Sequence, residues 1–290
     1  MSPTEQDVPT AGEPTAATPK RRRTVLVVTL LVIAVAGALL VAYLGRDTPA
    51  AVDTAAAIAA AGEGTDTGEE ADADTDGGAD DTTDDTTDGD DGGADTDAGE
   101  DATGALPESW RIDTDLVPFD FDAGTGTFVG YRIDEELSTV GATTAVGRTA
   151  VVEGELRLEG SSLVAATITG DLTALVSDIP NRDGRVQRAL DTDTHPTTTF
   201  ALTEAVDLGA EPTPGDTVRV SAAGELTLHG VTQPTLADIE AVLLDTGRLL
   251  VTGSFEVVLS DHDIVAPSAP IVVSVADTGT IEFQLYLTPA

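Results

Sequence analysis

The sequence predicts an all-β fold, an antiparallel barrel or sandwich of about eight strands with one short helix, carried behind a single transmembrane helix and a disordered acidic linker. Three observations predict it. Apolar residues recur with a period of two through residues 109–290, the signature of half-buried strands. One uncharged apolar run, residues 24–45, is long enough to cross a bilayer. Between these two parts lies residues 46–108, a block dominated by Asp, Thr, Gly and Ala.

Residues 1–23 form a polar tail that ends in a basic cluster, Lys20, Arg21, Arg22 and Arg23. At about 1.5 Å per residue, the run 24–45 spans the roughly 30 Å hydrocarbon core. It exceeds the roughly 7–15 apolar residues of a cleavable signal, and its small residues 36–38 lie inside the run. The expectation is a retained signal anchor, with cleavage near Ala50 or Ala57 as the alternative. The basic flank places the N-terminus in the cytoplasm and the rest of this single-pass chain, the barrel domain included, outside the cell membrane.

The linker follows. From Gly62 to Glu108 there are 19 acidic residues and no basic one. Such a segment buries too little apolar surface to fold, and its charges repel one another. As flexible coil it would span roughly 45 Å. Its Asp and Gly residues follow no fixed period and no EF-hand spacing, which argues against calcium repeats. Its Thr content would permit O-glycosylation.

In residues 109–290, Val218, Val220, Ala222, Gly224, Leu226 and Leu228 alternate with Arg219, Ser221, Ala223, Glu225, Thr227 and His229. Leu249 to Leu259 repeats the pattern, as does Ile281 to Thr288. Shorter runs cover 128–133, 153–158, 164–172, 198–202 and 236–244. Turn signals separate them at Gly160, at Pro214-Gly215, at Thr246-Gly247 and at Asp277-Thr278-Gly279. Residues 179–190 read instead as a short helix with Asn181 as its N-cap. Mid-strand Gly224 and Gly253 suit the bends of a coiled barrel. A barrel of about eight strands is either filled by side chains or holds one small ligand, and the pattern alone leaves both open.

Composition limits the chemistry. The chain has 52 acidic and 14 basic residues, a net charge of -38, three histidines and no cysteine. That excludes a non-specific nucleic-acid partner, which needs basic patches. It also excludes disulfides, thiolate metal sites and a cysteine nucleophile. There is no Gly-x-Ser-x-Gly elbow, phosphate loop or dinucleotide fingerprint. His195, near Asp191 and Asp193, and His262, between Asp261 and Asp263, are the only footing for acid–base or metal chemistry. That reading needs the histidines to converge in space. The expectation is no enzyme, no catalytic residue, no metal and no dedicated cofactor.

Several strings, in order, resemble the YceI-like family of polyisoprenoid-binding proteins. They are Trp110-Arg111-Ile112-Asp113, the stretch 128–135, Gly147-Arg148-Thr149, Asn181-Arg182-Asp183, His195-Pro196 followed by Phe200, the stretch 224–234, Gly253-Ser254-Phe255 and Asp261-His262-Asp263-Ile264. The chain departs from the pattern at Asp115-Leu116 and at Asp263, where the family often has His-Ser and Gly. The resemblance implies a lipocalin-like barrel whose interior takes the tail of an amphiphilic isoprenoid lipid, a quinone among the candidates. The lining would then be Phe128, Ile168, Phe200, Ala222, Leu226, Leu228, Val251, Phe255, Val257, Phe283 and Leu285. Arg182, Asp183 and His229 would stand at the mouth, near the head group. The alternative is a ligand-free structural or adhesive surface module with a solid core. An interior below roughly 300 Å³ would favour it. The sequence does not specify an oligomeric state.

Overall fold

Residues 48–63 and 106–290 are described by a computed structural model. The expected tail 1–23, the transmembrane run 24–45 and linker residues 64–105 lie outside the described residues. Among the described residues, no helix is long and apolar enough to cross a membrane.

The alternating segments assemble into one antiparallel sheet. Its strands are β1 (Ser109–Asp113), β2 (Phe128–Leu137), β3 (Gly141–Thr149), β4 (Val152–Glu159), β5 (Ser162–Asp171), β6 (Val176–Ser177), β7 (Thr197–Leu202), β8 (Val206–Asp207), β9 (Thr217–Leu228), β10 (Val231–Leu243), β11 (Leu249–Val258) and β12 (Val272–Pro289). Eight of them close a ring in the order β1-β4-β5-β7-β9-β10-β11-β12, with β12 returning to pair β1. The fold is therefore an antiparallel barrel, not a two-sheet sandwich.

β12 makes the closure. Its last residues pair β1 from Trp110↔Pro289 to Asp113↔Tyr286. Its earlier residues pair β2 on the same edge, from Val272↔Leu137 to Gln284↔Phe128, and β2 leads on to β3 and β6. The Asp277-Thr278-Gly279 string, expected as a turn, lies inside this strand. There the register slips between Val275 and Gly279, an irregularity that lets one strand bend across two partners.

β9 and β10 form the longest hairpin, paired from Val231↔Leu228 to Val242↔Thr217. Its two linking residues, His229 and Gly230, have φ of 53° and 75°. Two left-handed residues give a two-residue turn the twist its strands need.

One helix of the barrel domain, α2 (Pro180–Ala189), lies between β6 and β7. Its N-cap is Ile179, in extended conformation, rather than Asn181. Pro180 opens the helix at a position where its missing N–H costs nothing. Gln187 Nε2 ties the far end to Leu172 O at 2.9 Å and to Leu175 O at 3.3 Å.

A second helix, α1 (Thr54–Glu63), stands where composition places the linker, and this corrects the expected boundary at residue 46. Residues 54–62 carry no charge and are mostly alanine, the best helix former, so the acidic block begins only at Glu63. Asp53 Oδ1 accepts from Ala56 N at 2.8 Å. Ala57 and Ala61 are buried against Val242, Leu244, Leu250 and Tyr286 on the outside of the barrel. The Tyr286 hydroxyl donates to Ala57 O at 2.6 Å.

Beside α1 the outer wall holds a buried ion pair. Arg148 Nε and Nη2 donate to Glu282 Oε1 at 3.0 and 2.7 Å, with Arg148 fully buried and Glu282 3% exposed. Arg148 also donates to Phe121 O and Ala50 O, and so joins wall, loop and docked segment. Removing Arg148 leaves the buried Glu282 with only the longer ion pair to Arg132 Nη1, at 3.7 Å, and so costs most of the charge compensation. Arg148→Met is therefore expected to destabilise the protein by about 3–5 kcal/mol. Adding Glu282→Gln should recover part of the loss; urea denaturation of the single and double variants measures both.

Candidate functional site

The barrel encloses a cavity of about 290 Å³. Native cores leave few voids larger than a water molecule, whose share of the liquid is about 30 Å³. The interior is therefore not filled by its side chains. The volume falls just short of the roughly 300–1,000 Å³ of ligand pockets, at the threshold that separates a lipid site from the ligand-free alternative.

Ten of the eleven expected lining residues border this space: Ile168, Phe200, Ala222, Leu226, Leu228, Val251, Phe255, Val257, Phe283 and Leu285. Period-two alternation delivers them, because every second residue of β5, β7, β9, β11 and β12 turns inward. Small residues make the room. A Cβ on Gly224 would lie 2.4 Å from the Phe200 ring, and one on Gly253 would lie 2.4 Å from the Phe283 ring. The two glycines thus seat aromatic rings flat against the wall. Phe255 lies between these rings, with centroids 6.1 Å from Phe200 and 6.5 Å from Phe283.

Phe128 is the exception. It is fully buried but on the outer side of β2, where its ring packs on Phe119 and lies under the Arg148 guanidinium, 4.5 Å from the ring centroid. The inward residues of β2 are Val129, Tyr131, Ile133 and Glu135. Both faces of β2 are covered at this point, so hydropathy could not choose between Phe128 and Val129. Continuing the alternation beyond Ile133 would have reached Glu135.

The expected mouth residues separate. Arg182 borders the cavity, and its guanidinium donates to Asp178 and to Glu135. Asp183 does not border it; Oδ1 accepts from Ser177 N at 2.9 Å and Ser177 Oγ at 2.5 Å. These contacts anchor α2 to β6 and β2. His229 also lies off the cavity, and its Nδ1 meets His262 O at 2.9 Å.

All three histidines do converge. The His195 and His229 rings meet edge to face at 5.3 Å, and His262 Nδ1 contacts Val231 O at 3.1 Å. With carbonyl acceptors, Nδ1 carries the proton in His229 and His262. The cluster latches the β9–β10 hairpin to the 3₁₀ turn at residues 259–262. Among the described residues, no group of three or more His, Asp or Glu is placed to hold a metal. Asp263 follows that turn at φ 56°, a left-handed position that explains why glycine would suit it.

Sequence reasoning missed a polar cluster where β2 meets α2. Glu135 is buried beside Arg182 and Asp178. Burial pushes the Glu135 carboxyl above the ordinary carboxylate range, Arg182 opposes this, and Asp178 reinforces it. Burial likewise raises Asp178, against the pull of Arg182. The Tyr131 phenol is raised by burial too, and its buried hydroxyl has no hydrogen-bond partner among the described residues.

The profile of the YceI-like domain matches residues 131–287. Among solved structures, a polyisoprenoid-binding domain from Saccharophagus degradans is 18% identical, covering 62% of this chain and 98% of its own, with a TM-score of 0.47. BcnA of Burkholderia cenocepacia is 16% identical, covering 56% of this chain and 96% of its own, with a TM-score of 0.41. The Campylobacter jejuni YceI protein is 13% identical, covering 48% and 82%, with a TM-score of 0.38. None of the curated proteins compared matches the chain.

Two outcomes follow from the polar cluster. Tyr131→Phe removes an unpaired buried hydroxyl, whose burial costs about 1–3 kcal/mol. The variant is expected to melt higher than the parent in a thermal scan. Glu135 binds its proton more tightly folded than unfolded, so its ionisation lowers stability as pH rises from about its ordinary value of 4.5 through its raised folded value. Glu135→Gln lacks that loss. Its stability relative to the parent should climb between pH 4 and pH 7, and a flat difference in urea midpoints would refute the assignment.

Proposed function

Because the chain belongs to the YceI-like family, we propose that it is a binding protein that holds an amphiphile with an apolar, isoprenoid-type tail inside the barrel, anchored to the cell membrane and facing outward. The observation that carries this reading is the unfilled cavity, walled almost wholly by aliphatic and aromatic side chains. An apolar tail gains from leaving water about 25 cal/mol for each Å² it buries. A polar head finds no comparable partner among Phe200, Leu226, Val251 and Leu285, so it stays toward the α2 end, where Arg182 and Glu135 border the space.

The Saccharophagus relative is described as a polyisoprenoid-binding domain, which accords with this choice of tail. The cavity as it stands takes a short tail. A longer one needs Phe200, Phe255 and Phe283 to swing aside, or a portion of the chain to extend through the opening. The anchor and orientation are supported by the apolar run 24–45 and by the basic cluster before it. Binding, rather than catalysis, agrees with the roles of the polar residues: His229, His262, Arg182 and Asp183 are all engaged in holding elements together.

Native mass spectrometry and lipid extraction of the full chain, purified from membranes, test the reading. A bound amphiphile is expected. Ala222 is fully buried on the cavity wall, and Ala222→Phe places a ring in that space. The variant should retain its fold by circular dichroism and lose at least about tenfold in bound lipid, since blocking even one buried side chain's worth of apolar contact costs about 1.5–3 kcal/mol. A parent protein that is consistently empty would defeat the proposal and leave the structural module.

A further inference from the structure

The acidic block of the sequence stands before β1, and composition makes it the link between the barrel and all that precedes residue 46. The fold gives a different connection. Residues 48–63 belong to the barrel's own compact unit. Residues 64–105 therefore leave the barrel at the end of α1 and rejoin the same barrel at Leu106. Leu106 packs against the interior cluster that includes Trp110, Leu158 and Leu163, and its N–H meets Glu211 Oε1 at 3.1 Å. Along the chain, the docked segment comes before the acidic residues, not after them.

Two sets of contacts hold that segment. The first is polar and falls on residues 49–54. Arg132 Nη2 donates to Pro49 O at 3.1 Å, and Arg148 donates to Ala50 O. Ala50 N donates to Asp122 O at 3.0 Å, and Val52 N donates to Glu282 Oε2 at 3.4 Å. The Thr54 hydroxyl donates to Glu240 Oε2 at 2.9 Å and meets Thr252 Oγ1 at 2.7 Å. The second set is apolar and falls on α1. Ala57 and Ala61 are 1% and 4% exposed; four residues apart, they share one helical face and rest on Val242, Leu244, Leu250 and Tyr286. Ten residues are too few for a stable isolated helix in water, so α1 depends on this wall for its order. The wall in turn is apolar where the alanines land and carries Arg132, Arg148, Glu240 and Glu282 where the segment presents hydrogen-bonding groups.

We infer that residues 48–63 are the attachment by which the barrel is carried, a tight noncovalent contact on its outer wall, and that residues 64–105 are a loop of the barrel rather than its tether. A cut in that loop leaves the barrel in place. While the chain is intact, a short connection keeps segment and wall at an effective concentration of millimolar order, so even weak docking persists. After a cut, only a contact that survives dilution holds the two pieces together. The many matched partners of residues 49–61 place this contact in the second class. The inference needs neither a ligand nor a membrane, so it stands apart from the binding reading.

The full chain, with a site-specific protease sequence in place of residues 80–86 and an affinity tag before residue 1, is purified in mild detergent. It is cut to completion, diluted to micromolar protein and recovered by the tag. The barrel fragment is expected to stay with the tagged fragment. Its appearance in the flow-through would overturn the inference. Ala57→Asp puts a carboxylate on the buried face of α1 and is expected to lose the barrel after the cut. Ala59→Asp puts the same charge on the exposed face, with the same loss of helix propensity, and should retain it. Release from both variants, or from neither, would also sink the idea. The parent's circular dichroism in the released fragment assigns the loss to the contact and not to unfolding. Native mass spectrometry of the barrel fragment keeps the two readings separate. A released parent barrel that holds lipid defeats this inference alone, and a retained barrel that is empty defeats the binding reading alone.

Discussion

A single eighteen-residue strand, β12, has to serve two partners along one edge. Its last residues hydrogen-bond β1 and close the ring; its earlier residues hydrogen-bond β2 and raise the wall on that side. Everything else accommodates this double pairing. The register slip before Gly279 supplies the bend, and Gly253 on the neighbouring strand lets the Phe283 ring lie against the wall. Small inward residues at these places, with Ala222 and Gly224 on β9, leave space that the aromatic rings do not fill. The cavity is thus a consequence of how the sheet closes, because a tightly coiled wall needs small side chains where it curves.

Closure also decides what lies outside. The wall turns Arg148 and Glu282 to its outer side, where they would be half-solvated on a bare barrel. The segment 48–63 covers them, with Ala50 O and Val52 N completing hydrogen bonds to the pair. Burial makes the pair costly to break rather than stabilising in itself. Its hydrogen bonds to Ala50 O and Val52 N tie the covering segment to the wall at this point. Alanines suit that segment, since Ala57 and Ala61 allow a helix to lie close on Leu250 and Tyr286.

The two ends of the barrel differ in chemistry. At one, α2 is held by Arg182, Asp183 and Gln187, and the histidine latch secures the adjacent hairpin. These polar contacts are spent on positioning, and they leave the interior nearly free of hydrogen-bonding groups. The same end carries the uncharged segment 264–276, so the apolar interior continues onto the surface. An apolar tail with a small polar head would follow that gradient, a short one within the cavity as it stands.

Much of this was legible in the residues. Alternation in 218–228, 249–259 and 281–288 identified strands and told which side chains face inward, since a period of two admits only two assignments and one side is polar. The ordered strings from Trp110 to Ile264 pointed to the family. Where both sides of a strand are covered, alternation carries no information, and Phe128 was placed on the wrong side for that reason. The alanine-rich start of the linker was read with its acidic continuation because composition averages over a window, whereas docking depends on a few small residues meeting a surface built from distant strands. Only the tertiary structure could bring Arg182 to Glu135, gather three histidines separated by tens of residues, and set the interior volume. Those are long-range facts, decided by strand order and register, which no local pattern encodes.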